Sequence, residues 1–439
     1  MIMGEIGPVN AGDLMNPRPL LSALEMTQTI VLAWIWDCGH SADSLLTKSC
    51  DPATPNDKSN SGWGSLYRNF TAATSKTDLS RATITTGDSI QNVDSDLLVL
   101  KGAQQSPALK YAVQSRTYPE NPEILFVTTR GAGLVAYNVS NGRQPRHLTG
   151  WGANHSVEGQ DRVADTLVVV DIGLSGLYVF NLRGPSLRKA LTQPTSYLQF
   201  SMHGALHCRL YSVQKGQELF ALVSIGHHIK TPSSRLAVVN VTNPQQPELV
   251  ADLETSMECM EGVLVYGAYA YVGGYCNSHS LVVISLANIT APRIVRTISD
   301  SSYVNMVGAL RKSRGTGATF MYQALWTKPG GLAIFDMVDP ASPLEIGRII
   351  SANSSYANRV QLHDKFPLAF LPLEGGFAAS GAAVIDVSDL QRPTIAQIVR
   401  MPGMKVYCLA THGTFVYIFG IKPTDDTTMY IYQLNDTKL

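Results

Sequence analysis

The chain has 439 residues, with 34 basic and 34 acidic side chains and a formal net charge of zero. That balance excludes the basic stripe of a general nucleic-acid or anionic-membrane surface, so no nucleic-acid partner is expected. Only 15% of residues are charged, against about 25% in ordinary soluble domains, and 36 glycines and 23 prolines accompany them. This excludes a helical bundle, whose outer face needs charged helix formers, and fits a turn-rich β protein.

In chain order, residues 1–95 read as an N-terminal extension, partly disordered. An apolar patch, Thr29-Ile-Val-Leu-Ala-Trp-Ile-Trp36, is short for a signal-peptide core and has no basic cluster before it. It reads either as a weak signal or anchor segment, with a start at Met26, or as a buried strand. From about 43 to 95 the chain is rich in Ser, Thr, Asn and Asp, a composition that buries too little surface to offset ordering entropy and so reads as linker. No stretch reaches the ~18 apolar residues of a membrane-spanning helix.

Residues 96–439 repeat one phrase: a run of alternating or wholly apolar residues, then a polar turn. Copies begin at Leu134, Leu177, Leu236, Leu281, Leu332, Ala383 and Met429, at intervals of 43 to 59 residues. A unit this size cannot bury its own apolar face, so copies must pack on their neighbours. Strand-type alternation at this period indicates propeller blades rather than a helical solenoid. The expected fold is all-β, a seven-bladed β-propeller. The fourth copy reads in detail as an inner strand at Val263-Leu-Val-Tyr, a second at Tyr269-Ala-Tyr-Val-Gly, a third at Leu281 and an outer strand at Arg293. The last copy lacks an outer strand. An unpaired edge is a liability, so Leu97-Leu-Val-Leu or Ala82-Thr-Ile-Thr is expected to close the ring. The long interval before the third copy, Leu177 to Leu236, predicts an extra loop within Gln214 to Arg235.

The phrases Leu236-Ala-Val-Val-Asn-Val-Thr-Asn-Pro and Leu332-Ala-Ile-Phe-Asp-Met-Val-Asp-Pro, each followed by a second proline (Pro247, Pro343), resemble the LVIVD repeat family. The strand Tyr269-Ala-Tyr-Val-Gly resembles the one preceding that motif. The second and fourth copies depart from it, with Asn181-Leu-Arg-Gly-Pro and Ser285. The resemblance covers about residues 105–439 and implies a propeller, often extracellular or on a cell surface, with molecular roles mostly unassigned.

The six cysteines are too few and too scattered for a disulfide framework, and no C-x-x-C occurs. Cys38 with Cys50, and Cys259 with Cys276, are the candidate pairs, the latter because channel-mouth and second-to-third-strand loops share one face. Sequons occur at Asn69, Asn138, Asn154, Asn240, Asn288, Asn353 and Asn435, where composition alone gives about three. They favour a secreted or cell-surface glycoprotein. Asn138 and Asn240 also occupy the polar slot of the repeat, where turn chemistry alone places Asn.

Segments leading into inner strands share a pattern, Ser302-Tyr-Val-Asn, Ser355-Tyr-Ala-Asn and Ser196-Tyr-Leu-Gln. Counting along each repeat places Asn305, Asn358, Gln199, Cys259 and Lys405 at one slot, with Asp161 as the nearest candidate in the early blades. Such a ring of polar groups converges on the axis and makes a ligand site, or it simply satisfies strand-end backbone groups and channel water. His203 and His207 lie on one strand face but ~13 Å apart, too far to share a metal. His-Glu-x-x-His, Walker, Rossmann and Gly-x-Ser-x-Gly patterns are absent. No metal, cofactor or catalytic residue is therefore assigned. The leading reading is a monomeric, secreted or surface-exposed binding scaffold with a protein or glycan partner on one face. The alternative is a propeller enzyme with a polar small-molecule site at the channel mouth.

Overall fold

The computed structural model describes residues 97–439 except 185, 203, 214–215, 227–233, 275–279, 300–307, 314–315, 328, 351–355, 376–379 and 439. Asn69, Cys38, Cys50, Cys276, Asn305 and Asn353 lie outside the described residues, as does the whole 1–95 extension. The chain folds as a seven-bladed β-propeller, and each blade is an antiparallel sheet. The innermost strands are Ala112–Tyr118 in blade 1, Val157–Val163 in blade 2, Ala205–Val213 in blade 3 and Met260–Tyr266 in blade 4. Blade 5 contributes Ala309–Lys312, blade 6 the split pair Tyr356–Ala357 and Gln361–Leu362, and blade 7 Lys405–His412.

The repeated phrase is the third strand of each blade. Its apolar run has no polar alternation because both faces are covered. In blade 1, Leu134 and Ala136 pack toward blade 2, while Val135 and Tyr137 pack toward blade 7. This period-2 split recurs around the ring and produces seven buried clusters, one between each adjoining pair of blades. Each fully buried Val, Leu or Phe contributes about 1.5–3 kcal/mol, but only when the next blade is in place. The ring closes where Leu98–Lys110 pairs antiparallel with the third strand of blade 7, Asp426–Leu434, with Leu98 opposite Leu434 and Gln105 opposite Thr428. Of the two closing strands considered, the first is the one used.

The polar end of the phrase is a pair of successive side-chain-capped turns. Asp336 Oδ1 accepts from Val338 N–H and Asp339 Oδ1 from Ala341 N–H. Asn240 with Asn243, and Asp386 with Asp389, repeat both bonds. Ser285 fills the first slot in blade 4. Asp, Asn and Ser are required here because a short polar side chain substitutes for a backbone turn acceptor. Blade 2 departs after its first turn. Asn181 still accepts from Arg183 N–H, but the chain then enters helix α1 (Leu187–Ala190), capped by Ser186. This insertion accounts for part of the long interval between Leu177 and Leu236. The region expected to be one loop contains the second strand of blade 3, Glu218–Ile225.

Candidate functional site

A register shift interrupts the inner strand of blades 1, 2, 3, 4 and 7, at Ala112/Gln114, Val157/Gln160, Ala205/His207, Met260/Val263 and Val406/Leu409. In blade 6 the same place splits the strand in two. A bulge inserts an extra residue and re-aims its neighbours. It lets each inner strand turn polar groups toward the axis without breaking the apolar packing outside. Gly159 shows how close the strands come there: a Cβ on it would lie 2.8 Å from His207 Cα.

Matching the registers places Glu158, Glu261, Asn358 and Tyr407 at one ring position, at the end of the channel where the inner strands begin. Glu158 is buried and accepts from Arg130 Nε. The Arg130 guanidinium lies over Tyr111, 5.0 Å from the ring centroid. Tyr111 O–H donates to Tyr407 Oη at 3.1 Å, Tyr407 O–H to Glu374 Oε1 at 2.5 Å, and Asn358 Nδ2 to Glu374 Oε2 at 3.0 Å. Burial, then the Glu374 charge, holds the Tyr407 phenol well above its usual range. Glu261 is buried in the same neighbourhood, and desolvation pushes its carboxyl up to about 8, against the opposing field of Arg359.

Toward the other end, where the inner strands finish, the channel widens into a cavity of about 900 Å³. Its lining includes Arg116, Arg209, Arg311 and Arg359, with Lys312 and Lys365 exposed at the rim. The carboxylates lining it are Asp161 and Asp364. Asp161 is 8% exposed at its side chain and is shared by two cations, Arg116 at 3.0 Å and Arg209 at 3.3 Å, while also accepting from Leu210 N–H. Burial raises the Asp161 pKa, opposed mainly by Arg116. Arg311 donates to the carbonyl oxygens of His363 and Phe366. Arg359 donates Nε to Val113 O at 3.0 Å, but its Nη1 is buried with no hydrogen-bond partner among the described residues. Desolvation lowers the Arg359 pKa, opposed by Glu261 and Glu158.

Histidine is structural here. His363 Nδ1 accepts from Lys365 and Phe366 N–H, and its Nε2 faces Gly413 O at 2.8 Å, so the ring is a neutral clip. His207 Nδ1 accepts from Val263 N–H, which leaves the proton on an unpartnered Nε2. Burial, then the fields of Arg359 and Arg116, drives its pKa far down. Among the described residues no cluster of three or more His, Cys, Asp or Glu is placed to hold a metal.

The residues picked from sequence scatter. Asn358 and Asp161 lie in the channel. Lys405 opens the inner strand of blade 7, two residues before the ring position that Tyr407 occupies. Cys259 likewise precedes Glu261. It is buried, left-handed at φ +50 and disulfide-bonded, its partner lying outside the described residues. Cys208 and Cys408 are buried free thiols. Gln199 requires correction: Ser196–Gln199 is the outer strand of blade 2, paired with Gly176–Asn181, and Gln199 is exposed at the rim of the disc, far from the axis. The sequence reading missed Arg116, Arg209, Arg359, Glu158 and Glu261. In Met260–Tyr266 the signal is a lone charge, Glu261, inside an otherwise apolar strand, whereas Ala112–Tyr118 and Val157–Val163 carry several polar residues and single out none.

No family model matches the sequence, and no curated protein matches it. Among solved structures the chain is similar to the β-propeller domain of Cps50 (Swd1) from Myceliophteria thermophila. The TM-score is 0.55 at 11% identity, covering 77% of this chain and 100% of that one. At that identity the likeness is one of fold. Among the described residues no helix is long and apolar enough to cross a membrane.

Proposed function

We propose that this protein is a non-enzymatic binding scaffold of LVIVD-type repeats, secreted or cell-surface exposed, that takes a small molecule into the wide end of its central channel. The observation that carries this reading is the cavity of about 900 Å³ whose walls combine apolar strand faces with a few fixed polar groups, the usual make-up of a small-molecule site. The double capped turn after the third strands supports the repeat assignment. Two features support an oxidising compartment. Cys259 is disulfide-bonded, and such bonds are rare where glutathione keeps thiols reduced. Sequon residues Asn154 and Asn288 are exposed, and Asn138, Asn240, Asn288 and Asn435 use Oδ1 within their turns.

A protein or glycan partner on a disc face has weaker support. The exposed large apolar side chains Val338, Leu344 and Leu249 sit on outer strands and the turns entering them, not gathered around the channel. An enzymatic reading rests on Glu261, whose raised pKa suits proton transfer, but Glu261 is buried behind the cavity rather than lining it.

Native mass spectrometry of the full chain, produced through a secretory pathway, tests the proposal. The wild type is expected to carry a non-covalent mass that the channel-plugging variant Gln361→Trp loses. Identical masses for the two, after allowance for glycans and the substitution, would contradict it. Unmodified Asn154 and Asn288 in the same spectra would count against secretion.

A further inference from the structure

The cavity's charge is lopsided in a chain whose overall charge is zero. Asp161 serves two arginines, so one positive charge of that trio is uncancelled. Deeper in, the carboxyls whose fields reach Arg359 are Glu261, which burial pushes up to about 8, and Glu158, which already accepts from Arg130. Among the described residues Arg359 has no ion pair of its own, and its Nη1 has no hydrogen-bond acceptor. Lys312 and Lys365 stand at the entrance against Asp364.

A buried guanidinium N–H without a partner costs more than an exposed one, because desolvation is not repaid by any acceptor. Placed at the inner end of a cavity, it is relieved by an incoming oxyanion, which the low local dielectric binds strongly. Lysines at the mouth attract the same ligand from solution. Cations from the rim lysines through Arg116 and Arg209 to Arg359 line one cavity, which suits a molecule with more than one negative group.

Resting on the proposed channel site, we infer that its ligand is a small multivalent anion, phosphorylated or polycarboxylate, held by Arg359 at the inner end and by Arg116 and Arg209 nearer the mouth. Binding inserts an oxyanion against Arg359 Nη1 and loosens the Arg116–Asp161 pair so that Arg116 reaches the ligand. No covalent step is involved.

Isothermal titration of the full chain with pyrophosphate, with citrate and with sucrose tests this. One-site binding of pyrophosphate or citrate, weakening as salt rises, and no binding of sucrose are expected. The stronger of the two anions identifies phosphate or carboxylate as the ligand group. Arg359→Gln is expected to weaken binding about tenfold or more, as loss of a charge-assisted hydrogen bond does. Arg116→Gln, more exposed and less prone to disturb folding, is expected to weaken it by a smaller factor. Failure of both anions to bind, or affinities unchanged in both variants, would overturn the inference. A neutral molecule found in the channel by mass spectrometry would also overturn it while leaving the channel site standing.

Discussion

The two ends of the channel are built from the same seven strands but have opposite electrostatic designs. Where the strands begin, charges are matched within the protein: Arg130 with the buried Glu158, and Glu374 with Asn358 and Tyr407. Where they finish, arginines outnumber carboxylates around open volume. The first arrangement locks blades 1, 2, 6 and 7 together and leaves nothing for a ligand to satisfy. The second leaves the Arg359 Nη1 donor without an acceptor among the described residues, which is what a binding site presents before its ligand arrives. The lesson is that burial alone does not mark a site; an imbalance within the burial does.

The sharpest way to break this contrast is to delete one cation from each end. Arg130→Ala leaves Glu158 buried and unpaired, so a loss of about 3–5 kcal/mol in denaturant unfolding is expected. Arg116→Ala is expected to cost less than about 1 kcal/mol, since Asp161 keeps Arg209 as a partner. Equal losses would mean that both ends are structural.

Next in size is Gly159→Ala. The added Cβ meets the backbone of blade 3 at 2.8 Å to His207 Cα, so the strands must part at the neck. A destabilisation of about 1–3 kcal/mol is expected by thermal melting, and a neutral effect would show that the neck is looser than drawn.

The remaining effect is one of pH and concerns Glu261. Its folded pKa, about 8, lies above the ordinary carboxyl value. The folded state therefore holds a proton that the unfolded chain releases first. This contribution to stability is complete below the unfolded pKa and is lost as pH rises through about 8, at no more than ~1.4 kcal/mol per pH unit. Glu261→Gln is expected to flatten that decline between pH 5 and 8. Parallel stability curves for the two proteins would show that Glu261 is not held neutral.

The blades were legible because each third strand is buried on both faces, which writes an uninterrupted apolar run such as Leu332-Ala-Ile-Phe into the sequence. Closure by Leu98–Lys110 followed from the missing outer strand of the last repeat. The site was only half legible. Each inner-strand bulge adds one residue that the repeat pattern does not show, and counting from neighbouring strands fell two residues short, on Cys259 and Lys405 instead of Glu261 and Tyr407. Gln199 was misplaced because Ser-Tyr-x-Gln/Asn opens the outer strand of blade 2 as well as the inner strand of blade 6. Arg130 and Glu374 come from the far ends of second strands, where nothing in the repeat signals an axial role.

The contrast between the ends is tested most directly by an experimental density map of the full chain soaked with pyrophosphate. Added density against Arg359 Nη1 and extending toward Arg116 and Arg209 is the expected result. Density beside Arg130 and Glu374 instead, or an unchanged channel at saturating pyrophosphate, would contradict it.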